Sequence, residues 1–252
     1  KNEFIKNFFA TSQLIMAGND TEGLKYGTTQ TSEEYFVGWK EDKDTAKQYP
    51  EEKLLLNRQL LQLCAKDRLI DIIHNFIIFD SGIKKTCRPN QYFGVTQANK
   101  YTTQHEGGII WHTQGSGKSL TMVWLAKWIR ENIDNSRVLV LTDRTELDEQ
   151  IEKVFNGVDE KIYRTKSGKD LIDTLKYDEK WLLCSLIHKF GRGTDDTSNK
   201  DLSSYLKDLM KHIGKDFQPQ GDLFIFVDEC HRTQSGYPSK CYFYWVYWYP
   251  TT

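Results

Sequence analysis

The chain has 252 residues, 38% of them apolar and 27% charged, and a formal net charge of −1. That allows one large domain or two modest ones with a real core, and it fits a soluble globular protein rather than a disordered or fibrous one. A net charge near zero excludes a polyanion-binding surface spread over the whole molecule, so a nucleic-acid contact needs a local patch or a partner domain.

Residues 1–50 read as irregular. A short amphipathic stretch, Phe4 to Met16, gives way to a Gly/Thr/Asn-rich segment and then to a charged run from Lys40 to Lys47. Residues 51–79 read as helical: Pro50, Glu51 and Glu52 suit a helix start, and the leucines and isoleucines from Leu54 to Ile77 form an apolar stripe. Asp80-Ser81-Gly82 closes this region, and a domain boundary is expected there. A smaller, mainly helical part, 1–81, would precede a larger one, 82–252. Beyond it, apolar strands alternate with helices. The predicted strands are 108–111, 137–141, 181–184 and 223–227; the predicted helices are about 90–105, 119–132, 146–156, one after Ser167, and 200–213. Thr145 with Asp148, and Ser167 with Asp170, have capping-box spacing. The alternation predicts an α/β fold with a doubly wound parallel sheet.

Five cysteines, at 64, 87, 184, 230 and 241, include no Cys-x-x-Cys pair and are odd in number. Reduced thiols in a cytoplasmic protein are expected, not a zinc ribbon or a disulfide framework. The N-terminus has no apolar signal core, and no apolar run approaches the roughly 18 residues of a membrane span, so no membrane is expected.

Two motifs carry chemistry. Residues 112–119 read His-Thr-Gln-Gly-Ser-Gly-Lys-Ser, between an apolar strand and a helix pattern. In that context the backbone N–H groups of a Gly-rich turn can wrap phosphates, and the helix N-terminus adds partial positive charge. Gly115 and Gly117 permit the unusual dihedrals; Lys118 can reach the β- and γ-phosphates, and the Ser119 hydroxyl can ligate Mg²⁺. His112 stands where the usual pattern has glycine; His112, Thr113, Gln114 and Ser116 complete the loop. The second motif is Phe224-Ile225-Phe226-Val227 followed by Asp228-Glu229-Cys230-His231. An apolar strand ending in carboxylates is the partner that a phosphate loop needs for hydrolysis. Asp228 would hold Mg²⁺, Glu229 would polarise the attacking water, and His231 would sense the γ-phosphate or link to a neighbouring domain.

Together these motifs resemble superfamily 2 helicase and translocase motors. The run Gly107–Met122, with its His and Thr-Gln, is similar to the R (restriction, motor) subunit of type I restriction–modification enzymes. So are Val138–Arg144 with Leu147 and Gln150, Asp228–Gly236, and, more weakly, Cys184–Phe190. The resemblance covers about 82–236 well and 1–81 loosely. It implies a RecA-like first motor lobe, ATP with Mg²⁺, and Arg88 and Gln91 as adenine readers. Thr142 and Arg144 would contact the DNA backbone. For the intact subunit it implies ATP hydrolysis, translocation along double-stranded DNA, cleavage, and assembly with modification and specificity subunits. The triplets Glu41-Asp42-Lys43 and Glu51-Glu52-Lys53 match a nuclease Glu-x-Lys by letter alone, so both are expected to be solvated surface, with the cleavage centre upstream of residue 1. The aromatic run 237–252 departs from the family. It is expected to be disordered or packed on an exposed sheet edge; the alternative is a stacking platform for single-stranded DNA. A stand-alone helicase and a nucleotide-binding module without turnover are the competing readings.

Overall fold

The computed structural model describes residues 9, 11–41, 47–49, 52–113, 115–142, 145–177, 179–186, 220–230 and 240–247; for 145–148, 229–230 and 240–247 it describes the backbone alone. The chain divides into two compact units, 1–94 and 95–252.

The first unit is richer in strands than the sequence suggests. β1 (Ile15–Asn19) and β2 (Gly23–Gly27) form an antiparallel hairpin, and β3 (Val37–Gly38) pairs with β2. The predicted helix over 51–79 is two shorter ones, α1 (Leu55–Leu63) and α2 (Lys66–Asn75). Its last turn is instead β4 (Ile77–Asp80), paired with β5 (Ile83–Thr86). The Ser81-Gly82 pair is the tip of that hairpin, with φ of 53° and 80°. Two successive positive φ values are what a tight two-residue hairpin turn requires. β-branched Ile77 and Ile78 gain a cross-strand partner this way, which a helix would not offer.

The apolar stripe of these helices is only partly covered. Leu60, Leu61, Ile70 and Ile73 remain exposed, whereas Gln59 and Gln62 are buried. Gln59 is inside because it serves the backbone: its Oε1 accepts from the Leu24 N–H at 2.6 Å, and its Nε2 donates to the Trp39 carbonyl at 2.7 Å. A buried amide whose two ends are both bonded carries little desolvation penalty.

The boundary between the units falls within α3 (Pro89–Thr103). The second unit is the alternating α/β arrangement read from the sequence. Its strands are β6 (Gly108–Thr113), β7 (Ser136–Thr142), β8 (Tyr163–Arg164), β9 (Leu182–Leu186), β10 (Asp222–Cys230) and β11 (Lys240–Tyr247). The helices between them are α4 (Lys118–Asn132), α5 (Thr145–Gly157) and α6 (Gly168–Tyr177). Among the described residues the sheet order is β6-β11-β10-β7-β9-β8. β10, β7, β9 and β8 run parallel to one another. β11 is antiparallel to both β10 and β6, so β6 points the same way as β10.

Both faces of the central strands are buried. Leu139, Leu141, Leu183, Leu223, Ile225 and Val227 cluster with Leu171 and Leu175 of α6. The alternate residues, Val138, Val140, Phe224 and Phe226, are equally enclosed. Each such side chain contributes roughly 1.5–3 kcal/mol by leaving water, which makes the two-sided core the main source of stability. Arg137 ties α6 to the start of β7 by donating to the carbonyls of Thr174, Leu175 and Lys180 at 2.8–3.1 Å. A guanidinium on the final carbonyls of a helix satisfies acceptors that have no intrahelical donor.

The tail corrects an expectation. Lys240–Tyr247 does not lie at an edge; it is an inner strand, hydrogen-bonded on both sides. Its Tyr, Phe, Trp and Val residues have high strand propensity, and two neighbouring strands offer it backbone groups to satisfy. Residues 237–239 and 248–252, and the predicted helix over 200–213, lie outside the described residues.

Candidate nucleotide-binding site

Because β6 and β10 point the same way, their C-terminal ends reach the same edge of the sheet. Thr113 ends one and Asp228 lies near the end of the other. The carboxyl edge of a parallel sheet is where ligands are held in folds of this class.

The loop between β6 and α4 is shaped for an anion. Gly115 and Gly117 have φ of 77° and 85°. A Cβ built on Gly115 would meet nothing within 4 Å, so its glycine is required by dihedral angle rather than by space. The Thr113 carbonyl accepts from the Ser116 N–H at 3.2 Å and from its Oγ at 2.7 Å, which pins the turn. Gly117 is the N-cap of α4, and Lys118 and Ser119 occupy its first turn. Thr121, Met122, Val123, Trp124, Leu125 and Ala126 of that helix are all buried, so the N-terminus is held on a fixed base.

Lys118 and Asp228 meet. The Lys118 Nζ is 3.2 Å from Asp228 Oδ1, with both side chains about nine-tenths buried. Two residues 110 positions apart in sequence are thus brought together by the sheet. The lysine charge and the carboxylate stabilise each other in a setting where either alone would be costly. A phosphate would compete for the lysine, and a divalent cation for the carboxylate. The half-buried Ser119 hydroxyl and the Asp228 carboxylate are hard oxygen donors of the kind Mg²⁺ takes, usually with several waters retained. The donor set therefore fits a magnesium nucleotide.

The other expected residues fall as follows. His112 is buried on β6, and Thr113 is exposed. Gln91 is buried in the first turn of α3, where its Oε1 accepts from the Arg88 N–H at 2.8 Å. Thr142, read as a DNA contact, is fully buried at the end of β7, in register with Asp228. Gln114, Arg144 and His231 lie outside the described residues, as do the side chains of Glu229, Thr145 and Asp148.

Glu41 overturns another expectation. Its carboxylate is not solvated; it is fully enclosed, ion-paired with Arg68, and accepts from Trp39 Nε1 at 2.8 Å. The ion pair explains its burial without any nuclease role. Sequence reasoning missed Arg68 altogether. Its only signal was a cation inside an otherwise apolar helical face, Leu69-Ile70 following and Ile72-Ile73 beyond.

Comparisons with known proteins agree with this geometry. The SWI2/SNF2 ATPase family profile matches residues 90–243, more than half of the chain. A Methanocaldococcus jannaschii relative that carries a type I restriction enzyme endonuclease subunit name is 30% identical over 189 residues. That match spans 70% of this chain and 17% of the relative. The type I restriction enzyme HindI endonuclease subunit of Haemophilus influenzae is 26% identical over 264 aligned positions, 95% of this chain and 23% of its own length. The type I restriction enzyme SsaAORF53P endonuclease subunit of Staphylococcus saprophyticus is 30% identical over 151 residues, 59% of this chain and 15% of its own length. The chain spans less than a quarter of the length of these curated relatives. No helix among the described residues is long and apolar enough to cross a membrane.

Proposed function

Since the chain belongs to the SWI2/SNF2 ATPase family, we propose that it is the first motor lobe of a type I restriction endonuclease R subunit, coupling ATP hydrolysis to DNA translocation ahead of cleavage. The observation that carries this reading is the convergence of Lys118 and Asp228 at the carboxyl edge of the sheet.

In this reading Lys118, Gly115, Ser116, Gly117 and the loop residues His112, Thr113 and Gln114 hold the phosphates. Ser119 and Asp228 hold Mg²⁺, which supplies charge neutralisation on the phosphates. Preorganised donors aimed at developing charge are the principal means of accelerating phosphoryl transfer. Glu229 orients the attacking water and accepts its proton, and His231 senses the γ-phosphate. Arg88 and Gln91 read the base. Arg144 contacts the backbone of double-stranded DNA, and the intact enzyme assembles with modification and specificity subunits in the cytoplasm.

Titration of ATP–Mg²⁺ against the chain and its Lys118→Ala variant tests the core of this. The variant is expected to lose at least ~100-fold in affinity, the scale of a lost charge-assisted contact. Unchanged affinity in a folded variant sinks the assignment. The 252-residue chain alone is expected to bind ATP and turn it over slowly. Arginines from a second motor lobe would supply the remaining stabilisation, worth ~10³-fold or more in rate. Fast DNA-stimulated hydrolysis by this chain would instead favour a self-sufficient helicase.

A further inference from the structure

Thr142 ends β7 with its side chain fully buried, and its hydroxyl has no hydrogen-bond partner. An unpaired hydroxyl in a protein interior is destabilising, and most are paired. Thr96 and Thr102 also carry unpaired hydroxyls, but both lie in α3, where a carbonyl one turn back is a ready acceptor. A strand end offers no such acceptor. Valine would fill the same space at position 142 without burying an O–H.

The partner of Thr142 across the ladder is Asp228. The two share a face of the sheet. The register pairs Leu139–Ile225 and Leu141–Val227 lie in the core that includes Leu171 and Leu175 of α6. The alternate pairs, Val140–Phe226 and then Thr142–Asp228, therefore lie on the opposite face. From that face Lys118 of α4 reaches Asp228. Neighbouring strands are roughly 4.8 Å apart, so a threonine and an aspartate in register on one face are a side-chain rotation away from a hydrogen bond. On the other side of Thr142, Leu186 of β9 presents only hydrocarbon.

A carboxylate that serves a cation is steered by the groups that hydrogen-bond to it. Lys118 holds Asp228 at 3.2 Å, but a phosphate competes for that lysine. The Thr142 hydroxyl has a proton to donate and is too deeply buried to be drawn off in the same way.

We propose that Thr142 is a positioning residue for Asp228: its hydroxyl donates to the carboxylate when a magnesium nucleotide draws Lys118 to the phosphates, and it thereby raises affinity for the metal-bound nucleotide. This rests on the reading of Lys118 and Asp228 as phosphate and metal ligands given above.

The test is the affinity of the full chain for ribose-labelled fluorescent ATP, in Mg²⁺ and in EDTA, with a thermal melt recorded without nucleotide. Thr142→Val is expected to lose about tenfold in affinity in Mg²⁺, the scale of a lost support to a metal ligand, and to keep its affinity in EDTA. Its Tm is expected to rise by about 2–4 °C, because an unpaired buried hydroxyl is gone. Thr142→Ser keeps the hydroxyl and should keep the parental Mg²⁺ dependence. Equal weakening of Thr142→Val in Mg²⁺ and in EDTA, or a lower Tm, would show a structural role and overturn the inference. Unchanged affinity in Mg²⁺ would overturn it too, and a loss of DNA affinity in that case would assign the hydroxyl to DNA. If Mg²⁺ adds no affinity in the parental chain, or if Lys118→Ala binds ATP as tightly, the reading of the site falls and the inference with it.

Discussion

Tyr92 shows how one side chain reports on its surroundings. Burial, and then the charge and hydrogen-bonding of Asp71, push its phenol up to about 12 from the ordinary value of 10.0. A group whose folded pKa lies above its unfolded value stabilises the fold fully below the unfolded pKa and ceases to do so as pH rises through the folded one. The chain should therefore lose stability between about pH 10 and about pH 12. Urea unfolding across that window, compared with Tyr92→Phe, checks this; the variant should show a flatter decline. The meeting of the Lys118 and Asp228 motifs at one site was legible from their chemistry; the direct ion pair between the two side chains was not. Glu41 failed because a polar letter in a polar stretch reads as solvated, and only the fold shows that its partner encloses it.

At the scale of elements, legibility follows periodicity. β6, α4, β7, β9 and β10 were plain because apolar runs of strand length alternate with capped helical patterns. Their observed bounds differ from the predicted ones by only a few residues. The α6 cap holds in atomic detail: Ser167 Oγ accepts from the Asp170 N–H at 3.1 Å, and Asp170 accepts from the Lys166 N–H at 2.7 Å. Ser167→Ala should cost ~1 kcal/mol in a denaturant melt, and Ser167→Gly only a few tenths. Equal costs for both would mean that the hydroxyl contributes nothing specific. The β1–β2 and β4–β5 hairpins were hidden. β1–β2 is Gly-rich and turns through Asp20-Thr21-Glu22, where Asn19 Oδ1 accepts from the backbone of Thr21 and Glu22. β4 was masked by the apolar letters it shares with α2. In both cases the deciding interaction is a cross-strand pair, which a one-dimensional period cannot display.

Across the whole chain, the family assignment was legible because a phosphate loop and an acidic strand end are spelled out in contiguous residues. The sheet order was not. β11 lies between β10 and β6, although an aromatic run at that point of the sequence suggests a loose end. Its backbone carries the pairing of Thr113 with Lys240 and of His112 with Cys241. Replacing Tyr244 with proline should remove a ladder donor from an inner strand and cost about 1–3 kcal/mol, the penalty of leaving its acceptor unsatisfied. Hydrogen exchange should then show faster opening of β6 amides than of β7 amides; uniform exchange across both strands would contradict the sheet order.

That placement fixes an order of assembly. Among the described residues β6 reaches the rest of the sheet solely through β11, and β6 is made early whereas β11 comes late. Closing so long a loop is entropically slow, and no local contact can substitute for it. On the ribosome, α4 and β7 can fold and β9 and β10 can join them while β6 still waits for its neighbour. The nascent chain would acquire a core well before it acquires a seat for nucleotide, and binding competence would switch on only when the segment through Tyr247 has emerged.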